Sequence, residues 1–194
     1  MDVELEDAAR AVRDGKLVVY PTETVYGLGA DALDPASVER VFEAKDRPAD
    51  QPVSLAVPSV EAALNYVTTE ERTRAFMSAF LPGPVTVVAP KTQAVPDGLT
   101  ADRDRVGVRV PDHPVALALL ERVSPLTATS ANISGTASVR APDELSPALR
   151  AAVAVVLDGG QTPGGGSTVV DPARAEIHRR CHQAEAVEAW LDDR

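Results

Sequence analysis

The sequence predicts an α/β fold built on a mixed, twisted sheet. Short apolar runs of strand length alternate with helix-period patterns along its 194 residues. Composition does not shift along the chain and no internal repeat is visible, so residues 1–194 read as one domain. The polar residues of chemical interest gather in loops at strand ends, where α/β proteins place ligands.

Residues 3–14 carry Val3, Leu5, Ala8, Ala9 and Val12 at helix spacing, and Gly15 stops the pattern. Residues 17–20 make a short buried strand. Residues 21–29 read as a loop, mixing hydroxyls with two glycines that allow close backbone approach. Asp34-Pro35 supplies a cap and first turn, and Val38, Val41 and Phe42 give the next helix an apolar face. Pro48 disfavours helical backbone at Arg47. That helix therefore ends near Lys45 and leaves Lys45 and Arg47 at its exit, free to reach out.

Residues 53–57 form the next strand. Ser59 caps a short helix to Leu64, and Thr69 caps another over 70–81, closed by Pro82-Gly83-Pro84. Residues 85–89 are a strand and 91–104 a polar loop without structure of its own. A strand at 106–110 carries Arg109 one residue from its end. A helix at 114–123 and a strand at 126–129 lead into Ser130. Residues 137–142 are loop, Ser146-Pro147 opens a helix, and 153–157 is an apolar strand. The turn-rich stretch 158–166 ends in Gly164-Gly165-Gly166 before a strand at 167–170. Residues 176–180 are the last strand, and 184–191 the closing helix, with Val187, Trp190 and Leu191 facing inward.

A hydrophobic content of 44% indicates a globular chain. No apolar run approaches the ~20 residues that cross a bilayer. The acidic start lacks a signal peptide's basic and apolar regions. A cytoplasmic location without membrane contact is the expectation. Cys181 is the single cysteine, so no internal disulfide forms. Asp plus Glu number 29 against 19 basic residues, for a net charge of −10. Such an excess suits a surface solvated in high salt. It argues against a broad nucleic-acid face, so any anionic ligand must be held by a few local cations and backbone amides.

Lys45 offers phosphate a point charge and Arg47 a planar fork. The same pair also fits a solvated helix end, where cations favour the dipole. Ser130-Ala131-Asn132, followed by Ser134-Gly135, fits an anion-binding turn with free amides, or an ordinary hydroxyl-rich turn. No glycine-rich segment ends in Gly-Lys-Ser or Gly-Lys-Thr, so there is no Walker loop. Gly164-Gly165-Gly166 reads as a flexible turn unless Ser167 points into a pocket. Arg109, on a strand, must pair with a protein carboxylate or a bound anion. Thr22, Thr24 and Ser54 are equally at home as structural hydroxyls. His178, Cys181 and His182, with only His113 as a distant fourth, do not make a structural zinc site. Cys181 has no paired His or Ser context that would make it a nucleophile.

Six stretches then occur in order: residues 21–29 (Pro-Thr-Glu-Thr-Val-Tyr-Gly-Leu-Gly), Lys45-x-Arg47-Pro48, residues 82–86 (Pro-Gly-Pro-Val-Thr), residues 108–114 (Val-Arg-Val-Pro-Asp-His-Pro), residues 129–135 (Thr-Ser-Ala-Asn-Ile-Ser-Gly) and residues 167–171 (Ser-Thr-Val-Val-Asp). Together they resemble the YrdC family over nearly the whole chain, in its short, single-domain form.

The resemblance implies a YrdC/RibB-like twisted open mixed sheet, with flanking helices around a large concave cavity. It implies a threonylcarbamoyl-AMP synthase, a nucleotidyltransferase. Such enzymes join L-threonine, bicarbonate or CO2, and ATP with Mg2+ into threonylcarbamoyl-adenylate, releasing pyrophosphate. A downstream tRNA threonylcarbamoyl-transfer complex uses the product at position 37 of tRNA, and a weak tRNA contact is compatible with this. Lys45, Arg47, Ser130 and Asn132 correspond to the nucleotide site, with Lys45 and Arg47 as the catalytic cations. Ser138 and Arg179 resemble further ATP contacts. Thr22, Ser54, Arg109 and Ser167 resemble the threonine side, with Arg109 suited to the carboxylate. No residue is implied as a metal ligand. The family ends this region with an Arg-Pro-Gly or Arg-Glu-Gly turn, whereas Arg179 is followed here by Arg180-Cys181. Two alternatives accompany the resemblance: a non-catalytic nucleotide- or RNA-binding module, and a carbamoyl-adenylate-forming enzyme related to hydrogenase maturation.

Overall fold

A computed structural model describes residues 2–193. Its helices are α1 (Asp2–Arg13), α2 (Pro35–Lys45), α3 (Val60–Ala63), α4 (Glu71–Phe80), α5 (Asp97–Thr100), α6 (Pro114–Arg122), α7 (Pro147–Ala152) and α8 (Ala184–Asp192). Its strands are β1 (Leu17–Tyr20), β2 (Gly27–Gly29), β3 (Ser54–Ala56), β4 (Val85–Pro90), β5 (Arg105–Arg109), β6 (Leu126–Ser130), β7 (Val153–Val156), β8 (Thr168–Asp171) and β9 (Glu176–Arg179). They form one sheet in the order β7-β1-β2-β6-β3-β5-β4-β8-β9. The pairs β1/β7, β3/β5 and β4/β8 are parallel and the others antiparallel, so the sheet is mixed as its sequence predicts.

Burial explains the arrangement. In β1, Val18 and Tyr20 pack with α1 and α6, while Leu17 and Val19 pack on the opposite side with Val41 of α2 and Leu149 of α7. A strand covered on both faces needs no polar alternation. The other half of the sheet alternates. Val85, Val87 and Ala89 of β4, and Val106 and Val108 of β5, enter the core with Phe76, Met77 and Val187. Their neighbours Thr86, Val88, Arg105, Gly107 and Arg109 face the other way, into a cavity.

The structure corrects several expectations. Residues 27–29, read as loop, are β2, hydrogen-bonded to β1 in the register Tyr20↔Gly27 and Val18↔Gly29. The glycines make room for a ring, since a Cβ on Gly27 would sit 2.9 Å from Cζ of Tyr20. The loop 91–104 contains α5, four residues anchored by Leu99, which is fully buried and accepts from the Val53 amide at 2.9 Å. Thr69 does not cap α4; its Oγ1 accepts from Arg74 Nε at 2.9 Å, and Glu70 holds the cap position without a side-chain bond. Asp34 and Ser59 cap α2 and α3 as expected. Lys45 is not free to reach out: it is 1% exposed and turned inward. Asp46 takes left-handed backbone (φ 48°), and the Arg47 amide returns to Phe42 O at 2.9 Å, which closes the helix with Lys45 still inside it. No helix among the described residues is long and apolar enough to cross a membrane.

Candidate functional site

The cavity holds about 810 Å³, within the range of small-ligand sites. Its floor is the polar face of β3, β5, β4 and β8. Its rim comes from the loop after β1, the end of β6 and the approach to β8. Of the residues singled out in the sequence, Thr22, Arg47, Ser54, Arg109, Ser130, Ser138, Ser167 and Arg179 line it. Lys45 and Asn132 lie one layer back. Lys45 Nζ donates to the carbonyls of Ser130 and, at 2.6 Å, of Asn132. The Asn132 amide nitrogen donates to Ile133 O and Thr136 O at 2.9 and 2.8 Å, and its Oδ1 accepts the Ser130 hydroxyl. Lysine and asparagine thus shape the turn that presents Ser130.

Charge is unevenly neutralised along the walls. Arg109 Nη2 meets Glu23 at 2.8 Å, and Arg105 Nη2 meets the fully buried Asp171 at 2.6 Å. Arg47 instead donates to the Gln51 and Pro52 carbonyls at 3.0 and 2.9 Å. Arg179 donates to Ser167 O and Oγ, each at 3.0 Å. Neither Arg47 nor Arg179 has a carboxylate partner among the described residues. Burial, and then the charge of Arg179, hold the Arg47 pKa below its ordinary value. Burial, and then Arg47, lower Lys45 from 10.5 to about 8. The cations therefore crowd one another on one side of the cavity, and a multiply charged anion relieves that repulsion.

The hydroxyls are organised too. Ser167 is buried, 2.8 Å from Thr86 Oγ1, and points into the cavity. The glycines before it, Gly165 and Gly166, are part of the wall. Thr22 Oγ1 donates to Val25 O at 2.6 Å and lies 3.0 Å from Thr24 Oγ1, so its proton is spent inside the loop. Tyr20, beneath this loop, is pushed by burial to about 12 and stays protonated. After Arg179, the Cys181 amide donates to Thr168 Oγ1 at 3.0 Å. Arg179 faces the cavity without a glycine in that turn.

Thr86, Gly107, Glu23, Arg105 and Asp171 were not singled out as site residues by sequence, and Thr24 stood out there only as a hydroxyl equally at home in a structural role. The available signal was period-two alternation: Arg105, Gly107 and Arg109 share one face of a strand whose other face is valine. Among the described residues, no three His, Cys, Asp or Glu side chains come together to hold a metal. Arg105 already occupies Asp171.

Residues 10–181 match the family model Sua5/YciO/YrdC, described as telomere recombination. The chain belongs to the Sua5/YciO/YrdC family. Within that family, the threonylcarbamoyl-AMP synthase of Pyrococcus abyssi is 46% identical over 168 residues, covering 84% of this chain and 49% of that protein. The threonylcarbamoyl-AMP synthase of Bacillus subtilis is 37% identical over 173 residues, covering 87% and 50%. The chain spans about half the length of both relatives. The crystal structure of P. abyssi Sua5 complexed with L-threonine superposes with a TM-score of 0.83 at 43% identity, over 88% of this chain and 51% of that one. The Sua5/YciO/YrdC fold is thus the mixed, twisted open sheet described above.

Proposed function

We propose that the chain is a threonylcarbamoyl-AMP synthase, working as one YrdC-like unit over residues 1–194, that makes threonylcarbamoyl-adenylate and pyrophosphate from L-threonine, bicarbonate or CO2, and ATP. The observation that carries this reading is the pair Arg47 and Arg179: two guanidiniums lining one cavity, with Arg179 close enough to lower the Arg47 pKa and no carboxylate partner for either among the described residues. A triphosphate supplies the missing charge. The names of the P. abyssi and B. subtilis relatives and the L-threonine complex of P. abyssi Sua5 point the same way.

In this reading the threonine amine attacks CO2. A carbon–nitrogen bond forms, the amine loses a proton, and a carbamate results. A carbamate oxygen then attacks the α-phosphorus in line, and the bond to the β-phosphate oxygen breaks with release of pyrophosphate. Charge grows on phosphate oxygens, where Arg47 and Arg179 stabilise it directly. Lys45 acts from behind, through its charge and its hold on the Ser130–Asn132 turn. Ser138 lines the nucleotide end, and Ser54, Arg109 and Ser167 the threonine end. Thr22 shapes that end through its loop bonds. Much of the rate comes from placing two anions side by side. Mg2+ arrives with the triphosphate as its counterion. The described side chains form no metal cage, and no step is assigned to it. The product passes to a tRNA threonylcarbamoyl-transfer complex in the cytoplasm.

Pyrophosphate release measured with L-threonine, L-serine and no amino acid tests the proposal. The expected order is threonine, then serine, then none. Equal rates in all three remove the threonine assignment, and no release in any leaves a nucleotide-binding module.

A further inference from the structure

Glu23 is the counterion of Arg109. Its Oε1 accepts from Arg109 Nη2 at 2.8 Å, and the same nitrogen donates to Thr24 Oγ1 at 2.8 Å. Both Nη2 hydrogens are therefore spent. Nη1 has no partner among the described residues, and Arg109 lines the cavity. The hydroxyl protons are also accounted for. Thr22 gives its proton to Val25 O, so the proton in the 3.0 Å contact between Thr22 and Thr24 comes from Thr24. Neither threonine has a proton left for a ligand. Glu23 Oε2, meanwhile, is buried and has no donor. The ion pair with Arg109 reaches Glu23 through Oε1 alone.

This end of the cavity therefore differs in kind from the Arg47–Arg179 end. It pairs one cation that has a free edge on the cavity with one carboxylate set behind it, whose second oxygen is buried and without a donor, for a formal charge of zero. Of the titratable neighbours, Asp112 is exposed, where water and salt screen its charge. Burial holds His113 below its ordinary pKa, although Glu23 and Asp112 pull the other way. Tyr20 is neutral at about 12. A ligand bearing only a carboxylate gains Arg109 but is opposed by Glu23. An α-amino acid brings its own ammonium, which answers the Glu23 charge at the same site.

We propose that Glu23, through its ion pair with Arg109, makes this end of the cavity select a zwitterionic α-amino acid over an acid that lacks the amine. The inference rests on reading this end as an amino-acid site. Glu23 touches Arg109 rather than the ligand, so it is a positioning residue that sets specificity by charge.

The test is titration calorimetry of the whole protein, without nucleotide, against L-threonine and against 3-hydroxybutyrate. The second keeps the carboxylate and hydroxyl and lacks the amine. The native protein is expected to bind threonine at least ~10-fold more tightly, the scale of one charge–charge interaction near a protein surface. Glu23→Gln keeps an oxygen for Arg109 and removes the charge. It is expected to shrink that ratio by ~10-fold, chiefly by gaining affinity for 3-hydroxybutyrate. A purely structural Glu23 weakens both ligands alike and leaves the ratio unchanged, which overturns the proposal. Equal affinities in the native protein overturn it without any variant, so a Glu23→Gln chain that fails to fold does not shield it. Native protein that binds neither compound, with or without ATP, removes the amino-acid reading itself. Threonine binding with an unmoved ratio removes only the role of Glu23.

Discussion

Lys45 Nζ donates to the backbone carbonyl of Asn132 at 2.6 Å, joining the end of α2 to the turn after β6 across 87 residues of chain. A second bond runs to Ser130 O. The ammonium is thus a clamp on the turn as well as a charge. Lys45→Met keeps most of the stem and removes the donor. Ser130 O keeps the Asn132 amide at 3.0 Å, but Asn132 O loses its donor. A buried carbonyl left so costs about 1–3 kcal/mol, and relief from burying an ammonium offsets part of that. The variant is expected to fold and to lose ~10²–10³ in pyrophosphate release, the scale of one preorganised donor. Amides over 130–136 should exchange faster with solvent. Native activity in a folded Lys45→Met chain means that neither clamp nor charge matters.

The same residue sets a pH dependence. Burial and Arg47 bring Lys45 from 10.5 to about 8 in the fold. Its folded pKa is below its unfolded one, so the unfolded chain holds more protons between those values. The penalty on stability is complete below about 8 and fades as pH rises toward 10.5. Activity moves the opposite way, because the charge is lost in the same interval. The kcat/KM for ATP is expected to fall above pH about 8. Lys45→Arg, which stays protonated, should shift that limb upward even if its kcat is lower. A limb that does not move belongs to another group.

The sequence made Lys45, Arg47, Ser130 and Asn132 legible as a set, because a Lys-x-Arg at a helix exit and a Ser-x-Asn at a strand end each stand out locally. What each one touches was not legible. Pro48 marks where α2 stops, yet it is the left-handed Asp46 that leaves Lys45 within the helix and facing inward. Arg109 could be read as needing an anion. That Glu23 answers it depends on bringing the loop after β1 against β5, a tertiary fact. β2 was hidden because its glycines are chosen for the Tyr20 ring rather than for strand propensity. The cavity floor was written in the alternation of β4 and β5, but only packing tells which face is wet.

The Arg47–Arg179 wall gives a sharper test of the nucleotide end. The two cations disfavour each other while no anion is present. Arg179→Met relieves that repulsion but also removes the bonds to Ser167 O and Oγ, so the ligand-free melting midpoint should fall by only a few degrees. The variant should also raise the KM for ATP by ~10–100-fold, the scale of one charge-assisted bond. ATP at ~100 times its Kd adds about 2.7 kcal/mol to the native protein. Most of that thermal shift should vanish in the variant at the same concentration. A variant whose ATP-induced shift equals the native one places the triphosphate elsewhere.

Gly107 lies between Arg105 and Arg109 on the cavity face of β5. A Cβ there would stand 2.9 Å from Thr86 Cγ2 and closer still to the Ser54 hydroxyl. Both neighbours sit on adjoining strands. The Ser54 hydroxyl can turn away, but its Cβ would still stand 3.1 Å off, and Thr86 is tied to Ser167 at 2.8 Å. Overpacking of this kind costs about 1–3 kcal/mol. A domain of this size loses about 2–4 °C per kcal/mol. Gly107→Ala is therefore expected to lower the melting midpoint by several degrees. Because the displaced groups, Ser54 and Ser167, line the threonine end, its KM for threonine should rise more than its KM for ATP. Equal effects on the two substrates mean that the methyl group loosens the whole sheet instead of reshaping one end of the cavity.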